Sequence, residues 1–459
     1  MISINPATGE PLYDIEALSE AEILRRIQKA ETAFLGYKNE NFIARAEKLG
    51  KFADLMEASK NNLASQITRQ MGKPIKYAVA EVEKSVHAVR YYASHGARYL
   101  EPEAIDSSAI GVGMAYKTYQ PLGPILAVMP WNFPIWQVIR FAAPALMAGN
   151  VCLLKHAENV WQTALSLEEL FLEAGFPAGC FQALNVDVDK VKEIIASDII
   201  AGVTLTGSTY AGKEVSKNAA ERLLPTVLEL GGSDPFIVLP DADLENAASS
   251  AVFSRFANSG QSCIAAKRFI LHRDIKDDFL RLFLTKVNSL RIGDPLLAET
   301  DMGPVVSKKA LNKLEQMTKD ALAKGARLLC GGKRIDKDGF SDGFFFEPTV
   351  LDEVDSSMEV YFEEVFGPIA CVFEVSGEEE AVLLANDTKY GLGASIWTKD
   401  SDKALLLQSL LDCGMVAVNK EVASYPELPF GGIKSSGHGR ELSVEGIKSF
   451  CNCKTVVVA

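Results

Sequence analysis

The chain has 459 residues, of which 48% are hydrophobic and 23% are charged, and its formal net charge is −13. This composition is typical of a globular protein of two or three domains and excludes extensive disorder. The acidic charge argues against a nucleic-acid or anionic-membrane binder, because phosphate groups require clustered lysine and arginine. The longest apolar runs, such as residues 122–130, are about half a membrane span. The N-terminal residues lack the layout of a signal peptide, so we expect a cytoplasmic protein.

The eight cysteines are scattered along the chain, and no Cys-x-x-Cys pair is present. The five histidines do not supply partners at the spacing of a zinc site. We therefore expect reduced thiols and no metal.

The first hundred residues predict helices. Ser19 to Glu22 fits a capping box that precedes apolar residues at helical spacing. Two further amphipathic segments, 41–71 and 75–100, predict helices as well. From about 109 to 120 the pattern changes to alternating β-forming residues, which predicts extended strands.

From residue 122 onward, short apolar runs alternate with helical segments. The first series predicts strands at 125–129, 151–154, 181–185, 202–205 and 226–230, with helices that include 136–147 and 164–174. A second series predicts strands at 236–239, 268–271, 370–373, 394–397 and 415–419. Such alternation is typical of parallel sheets covered on both faces. We expect two α/β domains, with ligands bound in the cleft at the carboxyl ends of the strands.

Two segments at these strand ends are candidates for nucleotide binding, although no G-x-G-x-x-G fingerprint is present. Gly207 and Ser208 lie in a turn from a strand into a helix, where free backbone N–H groups bind a pyrophosphate; an ordinary structural turn explains the same residues. Lys155 and Glu158 follow another strand. A carboxylate there binds ribose hydroxyls and repels a 2′-phosphate, which favours NAD over NADP; the alternative is a helix start with a favourable acidic residue.

Three further residues are candidates for catalysis. Cys263 ends the glycine-containing loop that begins at residue 258, where an exposed thiol is reactive, but most single cysteines are buried apolar residues. Glu229 precedes two glycines at a strand end, as an acid–base residue does, or it is an exposed turn residue. The two prolines at 130 and 134 hold Asn132 rigidly, either as an oxyanion donor or as part of a packed turn.

Taken together, these motifs resemble those of the aldehyde dehydrogenase superfamily, in order along nearly the whole chain. They are Asn5–Gly9, Pro130–Pro134, Lys155–Glu158, Thr206–Ser208, Glu229–Gly232, Gly260–Cys263, Glu363–Pro368 and Pro429–Gly437. The resemblance implies an α/β fold of two domains with a β oligomerisation element. The cofactor domain, an atypical Rossmann sheet, is expected at 1–105 and 122–231, and the catalytic domain at 232–440. The oligomerisation hairpin and C-terminal strand are expected at 106–121 and 441–459, giving a homodimer or homotetramer.

The resemblance also implies roles for individual residues. Cys263 is expected to attack the aldehyde, the Asn132 amide and the Cys263 N–H to stabilise the oxyanion, and Glu229 to activate water. The expected contacts to the cofactor NAD are Trp131, Lys155, Glu158, Gly207, Ser208, Leu230, Glu364 and Phe366.

Within the superfamily the chain is most similar to bacterial succinate-semialdehyde dehydrogenases of the short NAD-linked type. This similarity implies that Arg140 and Ser424 bind the distal carboxylate of the substrate. Gln137 and Arg255 are further candidates, because the second arginine of many relatives is replaced here by Ala257. Relatives with a redox switch carry a second cysteine at the position of Ala265.

Three alternatives remain open at this point. In the first, the substrate is another small aliphatic aldehyde. In the second, the chain is a non-catalytic family member. In the third, the enzyme transfers the acyl group to coenzyme A. The joint presence of Cys263, Glu229 and Asn132 argues against a non-catalytic protein, and the hydrolytic glutamate argues against coenzyme A.

Overall fold

The computed structural model describes residues 2–336, 339–340 and 342–459. Its N-terminal part is mostly helical, as predicted, and Ser19 caps the first helix by accepting a hydrogen bond from the N–H of Glu22. The elements are β1 (Ile2–Ile4), β2 (Pro11–Asp14), α1 (Glu20–Tyr37), α2 (Phe42–Ala58), α3 (Lys60–Met71) and α4 (Ile75–Tyr99). These helices pack on the first large sheet and share one apolar core with it.

The next segment contains that first sheet. Its elements are β3 (Glu103–Ile105), β4 (Met114–Pro121), β5 (Pro124–Met129), α5 (Trp136–Ala148), β6 (Val151–His156), α6 (Trp161–Glu173), β7 (Phe181–Ala183), α7 (Lys190–Ala196), β8 (Gly202–Thr206), α8 (Thr209–Ala220) and β9 (Thr226–Glu229). Strands β5 to β9 are parallel in the order β9-β8-β5-β6-β7. All five predicted strands of this series are confirmed.

The second large sheet follows. Its segment comprises β10 (Asp234–Val238), α9 (Leu244–Phe256), β11 (Ala266–His272), α10 (Lys276–Asn288), α11 (Lys308–Ala323), β12 (Arg327–Cys330), β13 (Thr349–Asp352), α12 (Glu359–Phe362), β14 (Ile369–Val375), α13 (Glu378–Asn386), β15 (Tyr390–Gly391), β16 (Gly393–Trp397), α14 (Ser401–Gln408) and β17 (Met415–Val418). The sheet order is β12-β13-β14-β11-β10-β16-β17, and only β12 is antiparallel to its neighbour. The five predicted strands are confirmed, whereas β12 and β13 at one edge were not predicted.

Side-chain alternation along β10 shows why both faces of this sheet are covered. Phe236 and Val238 belong to one apolar core, and Ile237 between them belongs to the other. Because successive side chains of a strand point to opposite faces, each face needs its own layer of helices.

The C-terminal segment joins distant parts of the chain. It contains β18 (Ile433–Lys434), β19 (Gly437–His438), α15 (Ser443–Lys448) and β20 (Cys451–Val458). Strand β19 pairs antiparallel with β9 and so brings the segment beside Glu229. Strand β20 pairs with β4 along its whole length, and β3 lies on the other side of β4. The expected hairpin near 110–120 therefore differs in detail, since its first strand ends at Ile105 and a 3₁₀ helix (Ser108–Ile110) fills the connection.

The α/β fold class is confirmed, and the exact domain boundaries stay predictions. Within the described ranges, no helix is both long enough and apolar enough to cross a membrane.

Candidate active site

Cys263 follows a sharp turn between α9 and β11. In this turn Asn258, Ser259 and Gly260 all have left-handed backbone, with φ values of 53°, 55° and 71°. This conformation is strained for residues that carry a side chain, so surrounding contacts must hold it. One such contact is the side-chain amide of Asn258, which donates to the carbonyl of Asn132 at 3.0 Å. The turn is thereby fixed against the loop that carries the predicted oxyanion donor.

Arg255 is a second support of this turn. Its guanidinium is fully buried and donates to the carbonyls of Gly260 (2.5 Å), Gly367 (2.8 Å) and Ala266 (3.2 Å). A Cβ at Gly260 would lie 2.4 Å from the Gly367 carbonyl oxygen, so only glycine fits. Arg255 therefore holds backbone and lies outside the cavities described below, where the sequence had made it a candidate for binding substrate.

Lys267 ties the loop of Cys263 to the turn that follows β9. Its ammonium donates to the carbonyls of Ser262 (3.0 Å) and Cys263 (2.7 Å) and forms an ion pair with Glu364 at 3.5 Å. Glu364 in turn accepts a hydrogen bond from the N–H of Gly232 at 3.1 Å. One buried ion pair thus connects the reactive loop with two of the predicted cofactor-binding segments.

The side chain of Asn132 is held at both ends. Its Nδ2 donates to the carbonyl of Gln261 at 3.1 Å, and its Oδ1 accepts from Nε2 of Gln137 at 3.1 Å. A primary amide has two N–H donors, and the bond to Gln261 uses one of them. The second N–H is available for an oxyanion, which agrees with the role expected for Asn132. Gln137 acts here by orienting that amide.

Two cavities meet at Cys263. The first, of about 250 Å³, lies against α4 and α5, and we call it the substrate cavity. The second, of about 270 Å³, runs along the carboxyl ends of β5, β8 and β9, and we call it the cofactor cleft. Cys263 and Gln137 line both of them. A thiol in this position is reachable by two ligands from opposite sides.

Six of the eight residues predicted to bind a cofactor line the cofactor cleft: Trp131, Gly207, Ser208, Leu230, Glu364 and Phe366. The rings of Trp131 and Phe366 meet edge to face with centroids 5.7 Å apart. Ser208 caps α8 by accepting from the N–H of Ala211, so that helix directs its N-terminus at the cleft. The cleft therefore offers aromatic walls, an anion site and a buried carboxylate, which together fit a dinucleotide.

The Glu364 carboxylate has its place in the cleft because Gly231 has no side chain. A Cβ at Gly231 would lie 2.4 Å from Oε2 of Glu364. The double glycine after Glu229 thus makes room for a carboxylate that the sequence placed in the cofactor site.

Lys155 and Glu158 do not line the cofactor cleft. Lys155 is buried at the carboxyl end of β6, and Glu158 is exposed at the start of a 3₁₀ helix (Glu158–Val160). Burial lowers the pKa of Lys155, and the nearby Glu158 opposes that shift. The pair therefore lies at the carboxyl end of β6, the strand next to β5 of the cleft.

Glu229 lies at the end of β9 with its carboxyl group buried and without a hydrogen-bond partner. Burial raises its pKa well above the usual range, with a further contribution from Glu441, while Arg140 and Arg440 oppose the shift. Its Oε1 would be 2.6 Å from a Cβ at Gly431, and Glu229 lines neither cavity. In this structure the predicted base is thus turned away from Cys263.

Arg140 lines the substrate cavity, but its guanidinium already has partners. Its Nε pairs with the buried carboxylate of Glu441, and its Nη2 donates to the hydroxyl of Thr206 at 3.2 Å. The guanidinium carbon also lies 4.4 Å from the ring centroid of Phe430. The arginine predicted to bind the substrate carboxylate is therefore neutralised by a carboxylate of the protein.

Ser424 lies in the substrate cavity together with Lys84, which was not predicted. The Ser424 hydroxyl accepts hydrogen bonds from Nζ of Lys84 (2.8 Å) and from the indole N–H of Trp136 (3.0 Å). The same Nζ lies 4.4 Å from the Trp136 ring centroid. Burial lowers the pKa of Lys84 to about 8. The cavity therefore contains a partly buried ammonium beside the predicted serine.

The surroundings of the Cys263 thiol favour its protonated form. Burial raises its pKa to about 12, although Arg140 and Lys267 oppose the shift. The thiolate that a nucleophile requires must therefore be produced when a ligand or a base enters the site.

The sequence matches the model of the aldehyde dehydrogenase family over residues 1–456. The chain belongs to the aldehyde dehydrogenase family. It is 48% identical over 457 residues to succinate-semialdehyde dehydrogenase [NADP(+)] 1 of Mycobacterium tuberculosis, covering 100% of this chain and 99% of the relative.

Solved structures of aldehyde dehydrogenases share the fold. Succinic semialdehyde dehydrogenase from Streptococcus pyogenes, in complex with NADP+, is 36% identical with a TM-score of 0.96 and 99% of each chain covered. The protein Gox0499 is 40% identical with a TM-score of 0.97, covering 100% of this chain and 99% of that one. The resemblance stated from the sequence motifs is thus confirmed.

Three residues that contact the predicted site residues of this aldehyde dehydrogenase were missed. Lys267 and Glu441 lie close in sequence to recognised motifs, four residues after Cys263 and four after Gly437, and inspection of those flanks would have indicated them. Lys84 lies in the amphipathic helix α4, where no local pattern distinguishes it from a surface lysine. No group of three or more His, Cys, Asp or Glu side chains suited to a metal occurs in the described part of the chain.

Proposed function

We propose that this aldehyde dehydrogenase oxidises succinate semialdehyde to succinate with NAD as the hydride acceptor. The observation that carries the proposal is the position of Cys263 where the substrate cavity and the cofactor cleft meet. A hydride can pass directly between two ligands only if the carbon that gives it and the carbon that takes it come into contact, and two cavities that meet at Cys263 allow this. The names of the similar mycobacterial and streptococcal enzymes support the choice of substrate.

The first step is the attack of the Cys263 thiolate on the aldehyde carbon. Covalent capture divides one difficult oxidation into two easier steps. The free N–H of Asn132 and the backbone N–H of Cys263 donate to the oxygen that becomes negative. Because Gln137 and Gln261 already hold the Asn132 amide, this donor needs no reorganisation in the transition state.

The chain's contribution to the second step is to position the cofactor. Bound NAD supplies the hydride acceptor. Trp131 and Phe366 confine the nicotinamide end, the N-terminus of α8 at Ser208 binds the pyrophosphate, and Glu364 binds a ribose. Lys155 and Glu158 hold the adenosine ribose on the neighbouring strand.

The third step is hydrolysis of the Cys263 thioester, with Glu229 as the general base. Its raised pKa makes the ionised carboxylate a strong base. The role requires the side chain to turn from Gly431 toward Cys263. Water then adds to the acyl carbon, Glu229 takes a proton, and the thiol leaves with the carboxylic acid as product.

The preference for NAD over NADP is part of the proposal. The mycobacterial relative carries NADP(+) in its name, and the streptococcal enzyme was solved in complex with NADP+. The proposed preference for NAD therefore rests on one of this chain's own residues. Glu158 is that residue, because an exposed carboxylate at the ribose repels a 2′-phosphate.

The test is a steady-state comparison of succinate semialdehyde and butanal, each with NAD and with NADP. We expect kcat/KM to be highest for succinate semialdehyde with NAD and the product to be succinate. Equal values for the two aldehydes would refute the carboxylate preference, and equal values for the two cofactors would refute the role of Glu158. Turnover that depends on coenzyme A and yields no free acid would instead support acyl transfer.

We further propose a cytoplasmic homo-oligomer. All eight cysteines are free thiols, as in a reducing compartment. The three-stranded sheet and its flanking turn expose large apolar side chains: Ile105, Ile110, Met114, Val457 and Val458. An exposed apolar patch of this kind is typical of an interface between subunits. Sedimentation velocity would test it, and a monomer at micromolar concentration would contradict it.

A further inference from the structure

Five charged side chains line the substrate cavity: Lys73, Glu81, Lys84, Arg140 and Glu421. Three of them are ion-paired within the protein. Lys73 pairs with Glu81, whose other oxygen accepts two backbone N–H groups. Arg140 pairs with Glu441, and the Glu421 carboxylate accepts from a serine hydroxyl at 2.7 Å.

Lys84 is the remaining cation of the substrate cavity. Among the described residues it forms no ion pair, and its one hydrogen bond is to the hydroxyl of Ser424. A partly buried ammonium without a counter-ion is costly unless a ligand supplies the opposite charge.

From this arrangement we infer that Lys84, with Ser424, binds the distal carboxylate of the substrate. This inference rests on the proposed function and identifies the cation behind its selectivity. It assigns to α4 a role that the sequence had given to Arg140 on α5.

The geometry around Ser424 supports the inference. Its oxygen already accepts from Lys84 and from the indole of Trp136, which uses both lone pairs. The hydroxyl proton of Ser424 therefore remains free to donate a hydrogen bond. An ammonium and a hydroxyl donor 2.8 Å apart form a two-point site for one carboxylate.

The position of the ammonium is fixed before a substrate arrives. It lies 4.4 Å from the Trp136 ring centroid, within the range of a cation–π contact. The low pKa of Lys84, about 8, shows the unmet need for a negative partner, because burial and Arg140 both disfavour the charge. A carboxylate that binds here stabilises the charged form of Lys84.

The decisive experiment compares Lys84→Met with wild type on succinate semialdehyde and on butanal. We expect kcat/KM for succinate semialdehyde to fall about 10- to 100-fold, the scale of a lost charged hydrogen bond. The ratio of kcat/KM for the two aldehydes should fall by the same factor. Lys84→Arg should restore most of that ratio. Lys60→Met, which removes an exposed lysine paired with Glu83, is the control for net charge and should leave the ratio unchanged.

A second readout does not depend on turnover. Succinate at millimolar concentration should slow the alkylation of Cys263 by iodoacetamide in wild type and not in Lys84→Met. An unchanged selectivity ratio in Lys84→Met, while wild type prefers succinate semialdehyde, would overturn the inference and leave the proposed function intact. Equal losses for both aldehydes would also overturn it, since they would indicate a packing role. No preference in wild type would refute the proposed function and the inference with it.

Discussion

The substrate cavity and the cofactor cleft meet at Cys263 but are built in different ways. The cofactor cleft is formed by turns at the ends of parallel strands, and its lining includes Gly207 and Gly231. The substrate cavity is formed by side chains from α4, α5 and the loop around Ser424, and that loop is hundreds of residues from both helices in sequence. The comparison teaches that a common reaction is encoded in local motifs, whereas the choice of substrate depends on long-range contacts.

Removing the Cys263 thiol, which lines both cavities, has the largest expected effect. Cys263→Ala should lower kcat/KM for every aldehyde by about 10⁴-fold or more, the scale typical of losing a nucleophile. Cofactor binding, measured by quenching of Trp131 fluorescence, should remain because the cleft is otherwise intact. Residual activity above one per cent would contradict covalent catalysis by this thiol.

Glu229→Gln should separate the two halves of the reaction. We expect steady-state turnover to fall about 10²- to 10⁴-fold, the range for loss of a general base. A burst of reduced cofactor should still appear, because hydride transfer precedes hydrolysis, and mass spectrometry should detect the acyl group on Cys263. Absence of both the burst and the acyl-enzyme would place Glu229 in the first half-reaction instead.

Arg140→Met tests whether this arginine is a structural or a substrate-binding residue. The change leaves Glu441 buried without its partner, which is expected to cost about 3–5 kcal/mol in free energy of unfolding. Activity on butanal and on succinate semialdehyde should then fall together. Denaturant unfolding measures the first effect, and the pair of aldehydes measures the second.

The double variant Arg140→Met with Glu441→Leu is the matched control for that prediction. Two apolar side chains remove the unpaired charge and should recover most of the stability. If the single variant is stable and loses only succinate semialdehyde activity, the sequence-based role of Arg140 is correct and our assignment of Lys84 needs revision.

The contrast between local motifs and long-range contacts also explains which parts of the fold and of the site could be predicted from the sequence. The parallel strands followed from apolar runs, and Gly207 and Ser208 followed from a turn motif at the carboxyl end of a strand. The other four residues of the cofactor cleft followed from the family resemblance: Trp131, Leu230, Glu364 and Phe366. The edge strand β12 and its neighbour β13 were not predicted, since each is only four residues long and β12 is largely exposed. The partners of Arg140 and Lys84 lie 301 and 340 residues away in sequence, so no local pattern indicates those contacts.

Glu158→Ser tests the preference for NAD over NADP. Removing the carboxylate should raise the ratio of kcat/KM for NADP over NAD about 10- to 100-fold, because one repulsion and one charged hydrogen bond are lost. Selectivity between aldehydes should not change, since Glu158 lines neither cavity. An unchanged cofactor ratio would mean that another residue discriminates the 2′-position.

The smallest expected effect is a pH dependence confined to the substrate cavity. The pKa of Lys84 is lowered to about 8 by burial and by Arg140 and Lys73, while Glu81 opposes the shift. Because kcat/KM reports the free enzyme, the ratio of kcat/KM for succinate semialdehyde over butanal should be constant below pH 8. It should fall as the ammonium loses its proton above that pH, by about tenfold near pH 9. Cys263 and Glu229 affect both aldehydes alike and cancel in the ratio. Lys84→Arg stays charged and should give a flat ratio to pH 10. A wild-type ratio that is equally flat would assign the carboxylate to a group that does not titrate in this range, and Arg140 would be that group.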